Sequence, residues 1–320
     1  MAGLLPILTV ADFLTQYGGM IIQAFTTEQL VSKTVQTRTI SNGKSATFPV
    51  YGAEEAKLHT PGNDLFAASP DFAMDGTVTD QVINIDKLLV APKFVDDLND
   101  AMAHYDVRAA MAVGAGEALA TALERWCIGA LGKAAVASTN DTVTTGAYAS
   151  ITGANIAIAI QDTAQAMDEA KIPKKGRYLV ITPNEFYKLA SLTTVISTDY
   201  GSGFDQNSRV GFGSLWYMGF EILNSAIMAE FDNTAAATQI ASGGPLYFGG
   251  TTERNTNSFA GLKVYGIAYH SSAIGVLQLK GITTEMTWEA RNQGHLIVAK
   301  RAIGVGALRP TAAWTLSSTT

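Results

Sequence analysis

The chain is poor in cysteine and in charged residues, and each shortage excludes a class of protein. The single cysteine, Cys127, rules out an intrachain disulfide and a cysteine-rich metal cluster. Charged residues make up 16% of the sequence, against about 25% in a typical globular protein. A chain with so few charges has less surface to present to water. The composition therefore favours a protein whose exterior is partly covered by partners.

Basic charge and long apolar runs are also lacking. The formal net charge is −6, which argues against a nucleic-acid reader, because such a domain normally carries a basic patch. No apolar run reaches the roughly 18 residues that indicate a membrane helix. The apolar start, Met1 to Pro6, has no positive charge of the kind that opens a signal peptide. We therefore expect a soluble chain that is made in a cytoplasm and has no membrane partner.

Motifs for catalysis and cofactor binding are missing as well. None of the glycine pairs has the third glycine or alanine of a dinucleotide fingerprint, and there is no G-x-S-x-G nucleophile elbow. The histidines lie too far apart in sequence to form a local metal-ligand pair. They are His59, His104, His270 and His295. We expect no catalytic, cofactor-binding or metal-binding residues.

Two groups of acidic residues have simpler explanations than catalysis. The aspartates within residues 96–100 stand where a short helix is predicted to begin, and carboxylates there offset the helix dipole. Glu117 and Glu124 are seven residues apart on one face of a predicted long helix, and Arg125 follows. We expect a structural ion pair on that face.

The first part of the chain is predicted to form a helical segment and several strands. Apolar residues at helical spacing predict helix over Thr9–Phe25, either as one helix or as two short ones divided at Gly18 and Gly19. Thr34–Ile40 and Ser45–Val50 have strand character, and the Ser41-Asn42-Gly43-Lys44 run between them is typical of a type I′ turn. These two strands are therefore predicted to pair as a hairpin. Val78–Asp86 again has strand character.

A long apolar helix is predicted in the middle of the chain. Val95–His104 is predicted to be a short helix, and Val107–Leu131 a long one with Asp106 as its N-cap. The long helix is apolar on nearly every face, so it should be buried on most sides. Gly114 and Gly116 each lower its helix propensity by about 1 kcal/mol. We expect another backbone to approach at those two positions.

The remaining segments alternate between helices and strands. Ala154–Ala170 is predicted to be a helix and Tyr178–Ile181 a buried strand. The run Thr182-Pro183-Asn184-Glu185 predicts a helix start with a capping box, and Leu215–Leu223 reads as one strand. Short strands are then predicted at Val264–Tyr269, Ile274–Leu279, Thr283–Trp288 and Leu296–Ile303. This order of elements indicates the α+β class.

The most informative local anomaly is residues 51–77, which have no hydrophobic periodicity. In a compact domain a loop of ~12–15 residues is already unusual, and this stretch is about twice that length. Either the stretch is disordered or something outside the subunit organises it. We favour the interpretation that it becomes ordered against a sister molecule.

The charge pattern suggests how such a loop could dock. Residues 44–80 contain six acidic and two basic side chains, whereas residues 291–320 contain four basic side chains and no acidic one. Opposite patches steer and register association, so our hypothesis is that the loop docks on a neighbour's basic tail; two ordinary solvated surfaces are the alternative. Reversing Arg291, Lys300 and Arg301 to glutamate is then expected to block assembly without unfolding the subunit. The proposed contact residues are Glu54, Glu55, Asp64, Asp71, Arg291, Lys300, Arg301 and Arg309.

The run 41–50, SNGKSATFPV, and the run 100–108, DAMAHYDVR, are two of several collinear stretches that resemble the major capsid proteins of T-seven-like podoviruses, the Autographiviridae. The first resembles the segment that opens their extended loop, and the second resembles the entry to their spine helix. The run 270–275, HSSAIG, is similar to part of their closing strands, and 304–313 is similar to their C-terminal turn. Between 142 and 261 the resemblance extends only to the order of elements.

The resemblance implies the Hong Kong 97-type capsid fold. The glycine-rich loops at 199–213 and 232–250 would then lie in the axial domain, near capsomer centres. The implied organisation is an N-terminal arm at 1–33, an extended loop (E-loop) at 34–86, a peripheral domain with the spine helix at 87–150, an axial domain at 151–262, and closing strands with the C terminus at 263–320.

The resemblance also implies a function in the virion. It implies a structural protein, not an enzyme, that self-assembles into hexamers and pentamers of an icosahedral shell around double-stranded DNA. The implied partners are copies of itself, a scaffolding protein, a portal protein and packaged DNA bound without sequence specificity, with assembly in the host bacterial cytoplasm. Two alternatives remain open: an encapsulin-like compartment of the same fold that stores cargo, and a soluble hydrolase whose distant residues converge.

Overall fold

The computed structural model describes residues 10–51, 61, 78–85, 88–96, 107–192, 215–230 and 262–319. The α-helices in these ranges are α1 (Val10–Glu28), α2 (Val107–Ala137), α3 (Gly153–Glu169) and α4 (Pro183–Ala190). The first strands are β1 (Gln36–Thr39), β2 (Ser45–Tyr51), β3 (Val78–Asn84), β4 (Leu88–Asp96) and β5 (Asp141–Ala147). The next are β6 (Arg177–Ile181), β7 (Leu215–Tyr217), β8 (Phe220–Asn224) and β9 (Leu262–His270). The last are β10 (Ile274–Glu289), β11 (Gly294–Ala307) and β12 (Ala313–Thr319).

The strands form two mixed sheets and a separate antiparallel pair. One sheet has the order β1-β10-β11-β4, and the other has the order β5-β12-β9-β6-β8-β7. The separate pair is β2-β3. Together with the helices this arrangement confirms the predicted α+β class.

Helix α2 connects the two sheets through one continuous hydrophobic core. It packs against β4, β10 and β11 of the four-stranded sheet and against β9 and β12 of the six-stranded sheet. Side chains such as Leu119, Leu123, Ile128 and Leu131 are at most 1% exposed, as predicted for a helix that is apolar on most sides. The helix begins at Val107 as predicted but continues to Ala137, which makes it about 46 Å long at 1.5 Å per residue. The predicted cap Asp106 lies outside the described residues.

Helix α1 crosses α2 at one of the two predicted glycines. A Cβ atom at Gly116 would lie 2.5 Å from the Ile21 carbonyl oxygen and 2.8 Å from the Ala24 Cβ. The expected close approach of a second backbone is therefore confirmed at Gly116. It is wrong for Gly114 within the described part of the subunit, where a Cβ at that position would meet nothing within 4 Å.

The predicted hairpin between Thr34–Ile40 and Ser45–Val50 is wrong. Strand β1 pairs in parallel with β10, with Gln36 opposite Gly275, whereas β2 pairs with β3, with Ser45 opposite Asn84. Gly43 adopts a positive φ of 101°, but Asn42 does not have a positive φ, so the predicted type I′ turn is wrong as well. The turn carries the chain from one sheet to another because β10 offers β1 a long-range partner that no local pattern encodes.

Four other predicted elements need correction. Val95 and Asp96 end strand β4 and do not begin a helix; the rest of that predicted helix lies outside the described residues. Leu215–Leu223 is two strands joined by a turn, because Met218 and Gly219 both have positive φ, as a type I′ hairpin requires. The two strands predicted between 274 and 288 are one strand with register shifts near Lys280, and β12 was not predicted.

The remaining predicted elements are confirmed. The helix at 154–170, the strand at 178–181 and the helix start at Pro183 appear within one residue of their predicted bounds. The capping box is not reciprocal, since the Thr182 hydroxyl donates to the Glu185 carboxylate and the Thr182 N–H donates to the Tyr265 carbonyl. In the part of the chain that the structure describes, the helices are too short or too polar to cross a membrane.

Candidate functional site

The root of the β2-β3 hairpin rests on the four-stranded sheet. Its inward side chains, among them Phe48 and Ile83, form a small hydrophobic cluster with Leu277, Ala302 and Leu308. Arg38 of β1 holds the same root from the side, with its Nη1 2.6 Å from the Thr47 carbonyl and its guanidinium 5.7 Å from the Phe48 ring centroid. The base of the hairpin is thus fixed by apolar packing and by one cationic side chain.

Glycines on β10 and β11 allow this close seating. A Cβ at Gly304 would collide with the Asn84 carbonyl oxygen, and one at Gly306 would lie 2.9 Å from Ile83 Cγ1. At Gly275 the nearest atom would be Leu308 Cδ1, also at 2.9 Å. Only glycine lets strand β3 lie this close to the sheet. Apart from Pro61, the residues between β2 and β3 lie outside the described residues, so their proposed ordering against a sister molecule stays a prediction.

Further along the same sheet, one face carries exposed apolar side chains. Strand β4 runs antiparallel to β11 with Val90 opposite Lys300, Pro92 opposite Val298 and Phe94 opposite Leu296. Directly opposed residues share a face, so these side chains lie on one surface. Leu88, Val90 and Phe94 are 48%, 43% and 39% exposed. We call the surface made by Leu88, Val90, Pro92, Phe94, Leu296 and Val298 the open face.

The predicted basic contact residues do not form a single patch. Arg291 is exposed in the turn between β10 and β11, Lys300 lies beside the open face, and Arg309 follows the far end of β11. At about 3.3 Å per residue, the part of β11 from Lys300 to Ala307 spans roughly 23 Å, and Arg309 lies beyond its end. Lys300 also forms a cross-strand salt bridge with Glu285. The acidic residues Glu54, Glu55, Asp64 and Asp71 lie outside the described residues, so their contacts stay predictions.

Arg301 lies on the opposite face of β11 and is 8% exposed. Its Nη2 donates to Gln278 Oε1 at 2.8 Å, and its guanidinium carbon lies 4.5 Å from the centroid of the Phe25 ring. Burial lowers its pKa, and its buried Nε and Nη1 meet no hydrogen-bond partner among the described residues. Because glutamate at this position would bury a carboxylate, we no longer expect the Arg301→Glu change to leave the subunit folded.

Glu124 of α2 is a structural residue that the sequence reasoning misjudged. It is 1% exposed, and its carboxylate accepts hydrogen bonds from the main-chain N–H groups of Leu30, Val31 and Ser32 at 3.1, 2.8 and 3.0 Å. The Ser32 hydroxyl donates a fourth bond at 2.5 Å. The predicted ion pair is replaced at this residue by bonds to the chain that leaves α1. An acidic residue in an otherwise buried helix could have indicated such a partner.

The other polar clusters are structural. Arg177 joins the end of α3 to β6, with Nη2 2.7 Å from Asp168 Oδ1 and 2.5 Å from the Ile172 carbonyl. Hydrogen bonds from Lys174 and Arg177 lower the pKa of Asp168. Across the described ranges, histidine, cysteine and acidic side chains form no group of three or more that could hold a metal ion.

The architecture defines the class of protein. A long helix lies between two sheets, a second helix crosses it, and a hairpin is seated on one of the sheets. The capsid protein of Cyanophage P-SCSP1u superposes with a TM-score of 0.66 at 28% identity, covering 90% of this chain and 87% of that one. The subunit therefore has the Hong Kong 97-type phage capsid fold.

The sequence comparisons identify the family. The model of the Gp10A-like major capsid proteins matches residues 47–317, so the chain belongs to this family. It is 28% identical to the major capsid protein of Escherichia phage T7 over 95% of this chain and 91% of that protein. It is 30% identical to the major capsid protein of Enterobacteria phage T3 over 95% and 90% of the two chains. The chain is a phage major capsid protein of the virion shell, and the encapsulin-like alternative is not favoured.

Proposed function

We propose that this chain assembles into the hexamers and pentamers of a closed icosahedral shell around double-stranded DNA. Its role is structural and needs no catalysis. We further propose the division into an N-terminal arm (1–33), an extended loop (34–86), a peripheral domain (87–150 and 263–320) and an axial domain (151–262). Each subunit in such a shell makes several non-identical contacts. Modest individual contacts suffice because closure binds every subunit several times over.

The observation that carries this proposal is the open face of the four-stranded sheet. Contiguous exposed apolar surface on a soluble subunit marks an interaction site. The occupant we propose is residues 51–77 of a second copy, a stretch that includes Leu58, Leu65, Phe66 and Phe72. Those side chains would cover the open face. Because the root of the β2-β3 hairpin is packed on the four-stranded sheet, the stretch would extend away from its own subunit.

Charge would set the register of this contact. The stretch carries Glu54, Glu55, Asp64 and Asp71, and the open face is bordered by Lys300, with Arg291 at the hairpin turn beyond it. Arg301 is left out of this contact because it is buried on the other face of its own sheet. Arg309, at the far end of β11, would belong to a separate contact.

The remaining proposed partners follow from the shell itself. A scaffolding protein would direct curvature during assembly in the bacterial cytoplasm, and a portal protein would occupy one vertex. Packaged DNA would be enclosed and not gripped, because a net charge of −6 offers little basic lining for phosphate binding. Tight, salt-sensitive DNA binding by isolated subunits would contradict this part of the proposal.

A matched pair of valine substitutions tests the open face. Val90→Lys places a charge on the open face, while Val143→Lys changes a valine of similar exposure, 51%, on β5 of the other sheet. Both valines are exposed, so each variant is expected to keep the unfolding free energy within about 0.5 kcal/mol of the parent. Electron microscopy of the full chain co-expressed with its scaffolding protein should show shells lost for Val90→Lys. Normal shells from Val90→Lys would refute docking on the open face.

A second pair tests the charged border. The double variant Arg291→Glu with Lys300→Glu should reduce shell yield severely, because it places acidic groups opposite the acidic stretch. Lys175→Glu, at an exposed turn before β6, serves as the charge control and should assemble normally. Equal shell yields from the double variant and the control would contradict the role of charge in this contact. They would not bear on apolar docking at the open face.

A further inference from the structure

The segment that leaves α1 covers a group of buried polar side chains. Glu124, Cys127, Tyr269 and Arg301 are 1%, 0%, 0% and 8% exposed, and we call them the buried polar cluster. The covering segment, Phe25–Val35, is called the arm junction. Glu124 and Arg301 both act on the Cys127 thiol, whose pKa is raised by burial, raised further by Glu124 and lowered by Arg301. The cluster is therefore one continuous neighbourhood under the arm junction.

Two members of the cluster hydrogen-bond to the arm junction, and a third lies under its Phe25 ring. Glu124 accepts the N–H groups of Leu30, Val31 and Ser32, and the Tyr269 hydroxyl lies 2.6 Å from Thr34 Oγ1. The Phe25 ring covers the Arg301 guanidinium. Three separate directional contacts, spread over ten residues, hold the arm junction in one register.

Although the Phe25 ring stacks favourably on Arg301, the burial of the unpaired Arg301 donors opposes closure. Where the Phe25 ring covers Arg301, the guanidinium is shielded from water while its Nε and Nη1 meet no hydrogen-bond partner among the described residues. A buried donor without a partner costs free energy that water would restore if the arm junction lifted. The hydrogen bonds to Glu124 favour the closed arrangement, in which the arm junction packs on the cluster. The unpaired donors of Arg301 favour the open arrangement, in which the arm junction is lifted and water reaches them.

We propose that the arm junction is a releasable latch. Its hydrogen bonds to Glu124 stabilise the closed arrangement, and the unpaired buried donors of Arg301 reduce that stability. In this arrangement the arm can change position while both sheets keep their structure. A subunit that must fit unlike neighbours in a shell needs such a movable part. The proposal concerns the subunit itself and holds whether or not the open face is the docking surface.

Amide hydrogen exchange on the full-length subunit tests the latch. The amides of Val31 and Ser32, which donate to Glu124, report opening of the arm junction; those of Leu179 and Val180 in central strand β6 report global unfolding. Glu124→Gln should speed exchange at Val31 and Ser32 by about tenfold or more while β6 changes little. Glu117→Gln, at an exposed position on the same helix, is the control and should leave both rates unchanged.

The variant Arg301→Met distinguishes a releasable arm junction from one that is simply part of the packed core. Methionine keeps a long apolar stem under Phe25 but has no unpaired donors, so exchange at Val31 and Ser32 should slow by about threefold or more. Cys127, the only cysteine, should also react more slowly with a thiol reagent in this variant. Faster exchange at Val31 and Ser32 in Arg301→Met would overturn the proposal. The proposal would also be overturned if Glu124→Gln raised the exchange rates in β6 as much as those at Val31 and Ser32. If Glu124→Gln does not fold, the result for Arg301→Met decides alone.

Discussion

At the scale of single residues, close backbone approach decides where the elements can meet. Gly116 is required because the Ile21 carbonyl of α1 occupies the space of a Cβ, and Gly304 is required because the Asn84 carbonyl of β3 does the same. Neither partner is a flexible side-chain end that could move aside. These two glycines fix the position of the arm on the spine helix and of the hairpin on the sheet.

Gly116→Ala and Gly114→Ala should therefore change stability in opposite directions. Alanine at Gly116 collides with main-chain atoms and should lower the free energy of unfolding by about 1–3 kcal/mol. Alanine at Gly114 meets no described atom within 4 Å and should raise this free energy by about 1 kcal/mol, because helix propensity improves. Urea unfolding of the two unassembled variants measures both values. Stabilisation by both changes would show that the α1-α2 crossing is not tight.

His270 gives the subunit a pH dependence whose sign can be derived. The Ser272 N–H donates to Nδ1 at 3.2 Å, so the ring proton sits on Nε2 and is donated to the Lys175 carbonyl at 3.1 Å. Burial lowers the pKa of His270 from its usual 6.5, with Arg309 and Arg177 adding to the effect. The unfolded chain thus binds the proton more readily. The contribution of His270 is complete above about pH 6.5 and is lost as the pH falls toward the lowered pKa.

His270→Gln should accordingly flatten the acid side of the stability profile. Urea unfolding free energies measured from about pH 7.5 to about pH 5 should fall for the parent and fall less for His270→Gln. Parallel profiles would mean that His270 is as easily protonated in the folded subunit as in the unfolded chain.

Residue-scale roles were the least predictable from sequence. Burial of Glu124 and Arg301 depends on which face of α2 and β11 meets the arm, and that is decided by partners more than ninety residues away in the chain. Charge and spacing alone favoured an ion pair for Glu124 and an exposed contact for Arg301. Close approach was predicted for both glycines of the apolar helix, and it holds at Gly116 but not at Gly114, because the position at which α1 crosses α2 is not encoded in the local pattern.

At the scale of elements, local patterns found most helices and strands but not their pairing. The apolar run of α2 and the stop before Pro173 define helices without outside information. The Asn42-Gly43 turn was recognised, yet β1 found β10 and β2 found β3 through contacts far apart in sequence. Pairing of this kind is decided by burial against the sheet, which a turn motif does not encode.

The hairpin root offers a test at this scale. Phe48→Ala removes the largest side chain of the small cluster that seats β2-β3, and it should destabilise that root by about 3 kcal/mol. Hydrogen exchange should rise selectively in residues 45–50 and 80–84, while α2 and the six-stranded sheet keep their protection. Val82→Ala, at a side chain 57% exposed in the same hairpin, should change little. Uniform loss of protection would mean that the root is not a separate unit.

At the scale of the whole molecule, one core holds the subunit together and leaves a face to be covered. Helix α2 packs on both sheets, so they belong to one cooperative body. The open face stands outside this core, with Val90 43% and Leu88 48% exposed. The resemblance in sequence predicted the fold class correctly, whereas the location of the open face required the register of β4 on β11.

The most direct test of the account is cryo-electron microscopy of particles formed by the full chain together with its scaffolding protein. We predict closed shells in which residues 51–77 of one copy lie across Val90 and Val298 of the next. Subunits that stay solitary at high concentration, with that stretch packed on the sheet of its own chain, would contradict it.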